Sequence, residues 1–126
     1  MIPCVRFKDT VKLVGSPGGV CILAAFDHAA KMIYHNITVT SGADGTHSGP
    51  DDPHFKGNAL DGRTHDLPDP DLALKAIQDY LGVLFFAWIE SRGLPNEHIH
   101  AQVSKGTVYP PPDLPPQADL SIEGDV

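Results

Sequence analysis

The chain has 126 residues, 41% of them hydrophobic and 20% charged, with a formal net charge of −7 at pH 7. That is enough chain for one domain whose core needs no disulfide, in a composition ordinary for a globular protein. No cluster of Lys and Arg exists to neutralise phosphates, which argues against nucleic acid as a partner and against an electrostatic hold on an anionic membrane.

The opening "MIPCVRFKD" has no basic stretch leading into an apolar run, so the chain is expected to be made in the cytoplasm without a signal peptide. No apolar run is long enough to span a bilayer. Cys4 and Cys21 stand outside any C-x-x-C pair and read as two free, buried thiols of a reducing compartment. "VRFKDTVKLV" (Val5–Val14) is a short strand or an extended arm, and "GSPGG" (Gly15–Gly19) is a break. From Val20 to Tyr34 the apolar positions Ile22, Ala25, Phe26, Ala29, Ala30 and Ile33 make a helical stripe. "NITVTSG" (Asn36–Gly42) has the β-branched residues of a strand and ends in Gly.

A polar, turn-rich loop follows and leads into "NALDGRT". Asp69 or Asp71 then caps a helix that starts near Pro70 and stops at Gly82. "VLFFAWIE" (Val83–Glu90) reads as a buried strand, with Phe86 and Trp88 on one face as core residues. "SRGLPN" is turn chemistry, and "HIHAQVSKG" resumes as a strand, so the two runs pair as a hairpin. This order predicts an α+β fold: a small, mainly antiparallel sheet with helices packed on it. It is read as a single domain over 1–108, with a Pro-rich C-terminal tail over 109–126 that lies extended on the domain or on a neighbour.

Among seven histidines, His54, His98 and His100 stand out. On a strand, "HIH" puts His98 and His100 on the same face. Such a pair alone is more often two surface histidines than a metal site. Joined by His54 and by Asp61, seven residues further on, it offers two imidazoles and a carboxylate. That set leaves a tetrahedral zinc one ligand short, as catalytic sites do.

The stretch "TSGADGTHSGPDDPHFKGNALDGRT" (Thr40–Thr64) and the later "EHIH" (Glu97–His100) resemble the M15-type zinc D-alanyl-D-alanine peptidases and phage endolysin peptidases. That family shares its fold with the hedgehog signalling domain. His54, Gly57, Ala59 and Asp61 match its H-x-x-G-x-A-x-D pattern, and Glu97 stands three before His100 as the family's acidic residue does. The resemblance implies His54, Asp61 and His100 as ligands of Zn2+, and Glu97 as the general base toward water activated by the metal. It implies bacterial cell-wall stem peptides as substrate, and a phage or prophage lysin acting on peptidoglycan as the setting. Glu90 is the second candidate for the base. His98 either steadies the oxyanion or fills the face beside the metal, and His47 either contacts substrate or is a solvated loop residue.

This chain departs from the family pattern at Asp52, where Ser is usual two before the metal His, and in lacking the Arg that follows Ser-Gly to hold a substrate carboxylate. Arg63 is placed to take that role, or else to form a surface ion pair. The alternative function is a non-catalytic zinc-binding module of the same fold, serving assembly or binding, for instance in a virion.

Overall fold

Ser16 and Pro17 start the first helix earlier than the apolar stripe suggests. In the structure, a computed structural model that describes residues 2–44, 54 and 57–111, Ser16 is the N-cap and Pro17 the first helical residue of α1 (Pro17–Ile33). Ser16 Oγ accepts from Gly19 N at 3.0 Å and donates to Gly57 O at 2.7 Å. The helix therefore begins three residues before Val20, inside the Gly-rich stretch read as a break. A Cβ on Gly19 would lie 2.5 Å from Gly57 O, so this glycine serves close packing of the helix start rather than chain flexibility. Ile22, Ala25, Phe26, Ala29 and Ala30 form the buried stripe as the spacing predicts.

The chain order is β1 (Val5–Phe7), α1, β2 (Ile37–Ser41), β3 (Ala59–Arg63), α2 (Pro70–Leu81), β4 (Phe85–Glu90) and β5 (His98–Val103). The five strands form one sheet in the order β1-β2-β3-β5-β4. Only β1 and β2 pair parallel; the remaining pairs are antiparallel. The fold is thus α+β, two helices on a mixed, mostly antiparallel sheet. Asp69 caps α2 by accepting from Leu72 N at 3.1 Å, and Gly82 ends it with φ of 72°, as the local chemistry requires. No described helix is long and apolar enough to cross a membrane.

The core lies on one face of this sheet. Ile22 and Phe26 of α1 and Ala73 and Ile77 of α2 join Ile37, Val39, Leu60, Ile99, Ala101 and Val103 from the strands. The exposed pairs Asp27–Lys31, Lys75–Asp79 and Asp71–Arg92 are worth only ~0.2–1 kcal/mol each. Burial of the apolar side chains contributes more, at ~1.5–3 kcal/mol for each large one.

Two expectations change here. Phe86 and Trp88 are not core: they point away from the helices and are 59% and 37% exposed, while Phe85 and Ala87 face inward. An aromatic-rich run shows a strand but not which of its faces is covered. Cys4 and Cys21 are free thiols, half-buried rather than buried. The hairpin holds, with Phe85 opposite Val103 and Glu90 opposite His98. Tyr109, at the start of the Pro-rich segment, packs its ring at a tilt against Phe85 and meets Cys21 Sγ at 3.2 Å. The tail from residue 112 onward lies outside the described residues.

Gly57 occupies positive φ (76°), and a Cβ there would come within 2.8 Å of Val14 Cβ. It joins His54 to β3, and its N–H donates to His54 O at 3.1 Å. Gly57→Ala is expected to lower unfolding free energy by ~1–3 kcal/mol, read from urea denaturation. A change below about 0.5 kcal/mol would show that the junction is not constrained.

Candidate metal centre

The helices cover one face of the sheet and leave the other to polar side chains. Because side chains alternate along each strand, the register β3–β5–β4 sets them out in rows. One row is Asp61, His100 and Trp88; the next is Arg63, His98 and Glu90; a third is Ala59, Gln102 and Phe86. At the outer side a bulge in β2 places Ser41 opposite Asp61, two residues after Val39 pairs with Gly62, a distortion frequent beside functional sites. His54 reaches this face from the loop before β3, and only 3% of its surface is exposed.

Three donor atoms converge. His54 Nε2 lies 3.3 Å from His100 Nδ1 and 3.3 Å from Asp61 Oδ1, and His100 Nδ1 lies 2.9 Å from Asp61 Oδ1. A tetrahedral zinc with ligand bonds of ~2.0–2.1 Å sets its donors about 3.3 Å apart. Two of the three spacings match an edge of such a tetrahedron, and the third, at 2.9 Å, is shorter, at hydrogen-bond length.

The outer nitrogens explain why the inner ones converge. His54 Nδ1 stands 3.0 Å from Gly42 O, and His100 Nε2 stands 2.7 Å from Gln102 Oε1. Both partners only accept, so both outer nitrogens carry hydrogen and donate it. Gln102 is fixed in that sense because its Nε2 donates to Val103 O at 3.3 Å. The inner nitrogen of each ring then points toward a carboxylate that is itself an acceptor. Three acceptors this close need a proton or a cation among them. Trp88 packs on the His100 ring with centroids 4.6 Å apart, limiting its rotation. His54, Asp61 and His100 are thus a largely buried group able to hold a metal ion.

Without metal a proton fills that role. Burial pushes Asp61 upward, but hydrogen bonds from His100 and His54 outweigh it and hold the carboxyl well below the usual carboxylate range. Burial pushes His100 down, yet its bonds to Asp61 and Gln102 leave it raised. The metal-free group is therefore an ion pair of protonated His100 and Asp61, and a metal ion entering it displaces the His100 proton.

The other expected site residues are placed as follows. Glu97 directs Oε1 to the Thr64 hydroxyl, which donates at 2.6 Å, and Oε2 to Gly93 N at 2.8 Å. These bonds, led by Thr64, lower its pKa and brace the turn between β4 and β5. Glu90 shares the site face with Asp61 and places Oε1 at 2.9 Å from His98 Nε2. His98 Nε2 is also 3.6 Å from Asp61 Oδ1.

Arg63 lies on the Asp61 face and forms no ion pair with a described residue. With Lys8, His65 and Glu97 it lines a cleft of about 320 Å³ that Asp61 and His98 also reach. Asp44 braces the loop after β2, accepting from Gly42 N at 2.8 Å and Lys12 N at 3.1 Å. His47 lies outside the described residues. Gln102 and Trp88 are partners of the centre that the sequence reading does not pick out. The H-x-H-x-Q spacing is the available signal for Gln102, since it continues the same face.

Comparison with protein-family models, with curated proteins and with solved structures returns no match. The geometry of the site therefore carries the functional argument.

The shifts fix a pH dependence. The His100 contribution to stability is complete below its unfolded value of ~6.5 and is lost as pH rises through its raised folded value. That of Asp61 is complete above ~3.9 and is lost as pH falls through its depressed one. The metal-stripped chain should thus lose thermal stability as pH rises above ~6.5 through the raised folded value of His100, whereas zinc should reverse the trend because the ligands must be deprotonated to bind. Melting temperatures of stripped and zinc-loaded protein over that range test this. A stripped protein that gains stability with rising pH would refute the assigned ion pair.

Proposed function

We propose that this chain is a zinc-dependent peptidase that cleaves peptide bonds in bacterial cell-wall stem peptides. The observation that carries the reading is the convergence of His54 Nε2, His100 Nδ1 and Asp61 Oδ1 within 3.3 Å of one another, beside a cleft. Two imidazoles and one carboxylate suit zinc, and three protein ligands are the catalytic rather than the structural number. A zinc ion there supplies a Lewis acid for the scissile carbonyl and makes water nucleophilic at neutral pH.

The chain's own residues bind and orient. Arg63 and Lys8 give the cleft a positive wall in a chain of net charge −7, suited to a substrate carboxylate. His98 also lines the cleft, with its Nε2 at 2.9 Å from Glu90 Oε1. Glu97, as the family resemblance implies, takes the proton of the attacking water once Oε1 leaves Thr64, and hands it to the departing amine. Peptidoglycan outside the cell, reached by a phage or prophage lysin, is the proposed place of action.

One observation favours a second reading, a metal-binding module without hydrolysis. Both oxygens of Glu97 already have structural partners, in Thr64 and Gly93.

Zinc content and hydrolysis of purified wall peptides, measured on the same samples, separate the two. Under the peptidase reading, His54→Ala loses zinc and activity, while Glu97→Gln keeps zinc and loses ~10²–10⁴-fold in turnover. Zinc retained by a parent protein that cleaves no wall peptide would leave the module reading.

A further inference from the structure

A second cluster of donors adjoins the first. His98 Nδ1 stands 2.7 Å from Asn96 O, which only accepts, so that nitrogen carries hydrogen. Its Nε2 meets Glu90 Oε1 at 2.9 Å, a contact that needs a proton or a cation between the two atoms, with Asp61 Oδ1 at 3.6 Å. Donor atoms of Glu90, His98 and His100 all lie within 4.8 Å of one another. His98 thus repeats what His100 does one row away: outer N–H held by an amide carbonyl oxygen, inner nitrogen aimed at carboxylates. Asp61 stands between the two rings and touches both.

We propose that Glu90 and His98 hold a second divalent cation beside the first. The proposal rests on reading His54, Asp61 and His100 as a metal centre, and extends it from one ion to two.

The register accounts for the arrangement. Glu90 and His98 face each other across β4 and β5, as Asp61 and His100 do across β3 and β5, and the two pairs occupy neighbouring rows of one rigid sheet face. The donors differ in access. The Glu90 side chain is 47% exposed and that of His98 19%, against 4% for His54. Water fills the remaining positions of the second ion, so it binds more weakly and exchanges faster than the first. A carboxylate, an imidazole and water suit zinc or manganese.

Equilibrium dialysis of the metal-stripped full chain against Zn2+, followed by elemental analysis, counts the ions. The parent should bind two per chain, one tightly and one weakly. Glu90→Gln and His98→Gln should each bind one with the tight affinity unchanged, and circular dichroism should show both variants folded. His54→Ala should lose the tight ion. One ion per parent chain would overturn the proposal, reduce Glu90 and His98 to an ion pair, and leave the first centre standing. Two ions in Glu90→Gln would also overturn it, by placing the weak ion elsewhere. No ion at all would remove both the proposal and the metal reading beneath it. Because the count needs no substrate, failure to find a cleaved peptide does not affect it.

Discussion

The Asp61 carboxylate is the constraint around which the rest of this structure is arranged. Its side chain is only 14% exposed, and a buried, uncompensated carboxylate costs several kcal/mol. Two imidazoles offset that cost, but only with a proton or a cation among the three donors. The rings are in turn oriented from outside, His54 by the Gly42 carbonyl and His100 by Gln102 and Trp88. A side chain that merely packs has no need of this outer support, whereas a ligand that must keep its lone pair aimed inward does.

The fold supplies the support by asymmetry. Both helices lie on one face of the sheet and take up its apolar residues, so the other face can carry polar groups in register. The central strands β3 and β5 hold Asp61 and His100 side by side, which fixes them more firmly than loops would. Only His54 arrives on a loop, and the junction behind it is tight: Gly57 sits at positive φ against Val14, and its carbonyl is held by the cap of α1. The first turn of α1 thus positions a ligand that is distant in sequence. At the sheet edge, Gln78 Nε2 donates to Ala87 O at 2.9 Å, covering part of β4 that would otherwise remain open to pairing.

Much of this is legible in local sequence. Asp69, Pro70 and Gly82 mark the ends of α2 by chemistry that works within a few residues, and the spacing of "HIH" puts His98 and His100 on one face by strand alternation, whereas Asp61 joins them only through the β3–β5 register. Helix α1 begins earlier than expected because Ser16 and Pro17 act as cap and first turn while Gly18 and Gly19 fit against Asn58, Val103 and Gly57. That contact is tertiary and leaves no periodic trace. Phe86 and Trp88 defeat local reading for a related reason: alternation shows that two residues share a face, but only packing decides which face the helices cover. Glu97 illustrates the remaining limit. Its spacing to His100 matches the family pattern, yet the hydroxyl of Thr64, from the end of β3, takes one of its oxygens, and no sequence window contains that pair.

The most direct test of the central claim is X-ray absorption at the zinc edge on metal-stripped protein loaded with one equivalent of Zn2+. Expected is a four-coordinate ion with two imidazole nitrogens and oxygen ligands at ~2.0–2.2 Å, and no sulfur. Loss of one imidazole in His54→Ala would complete the assignment. A sulfur ligand, or a six-coordinate shell without imidazole, would contradict it and place the zinc away from His54, Asp61 and His100.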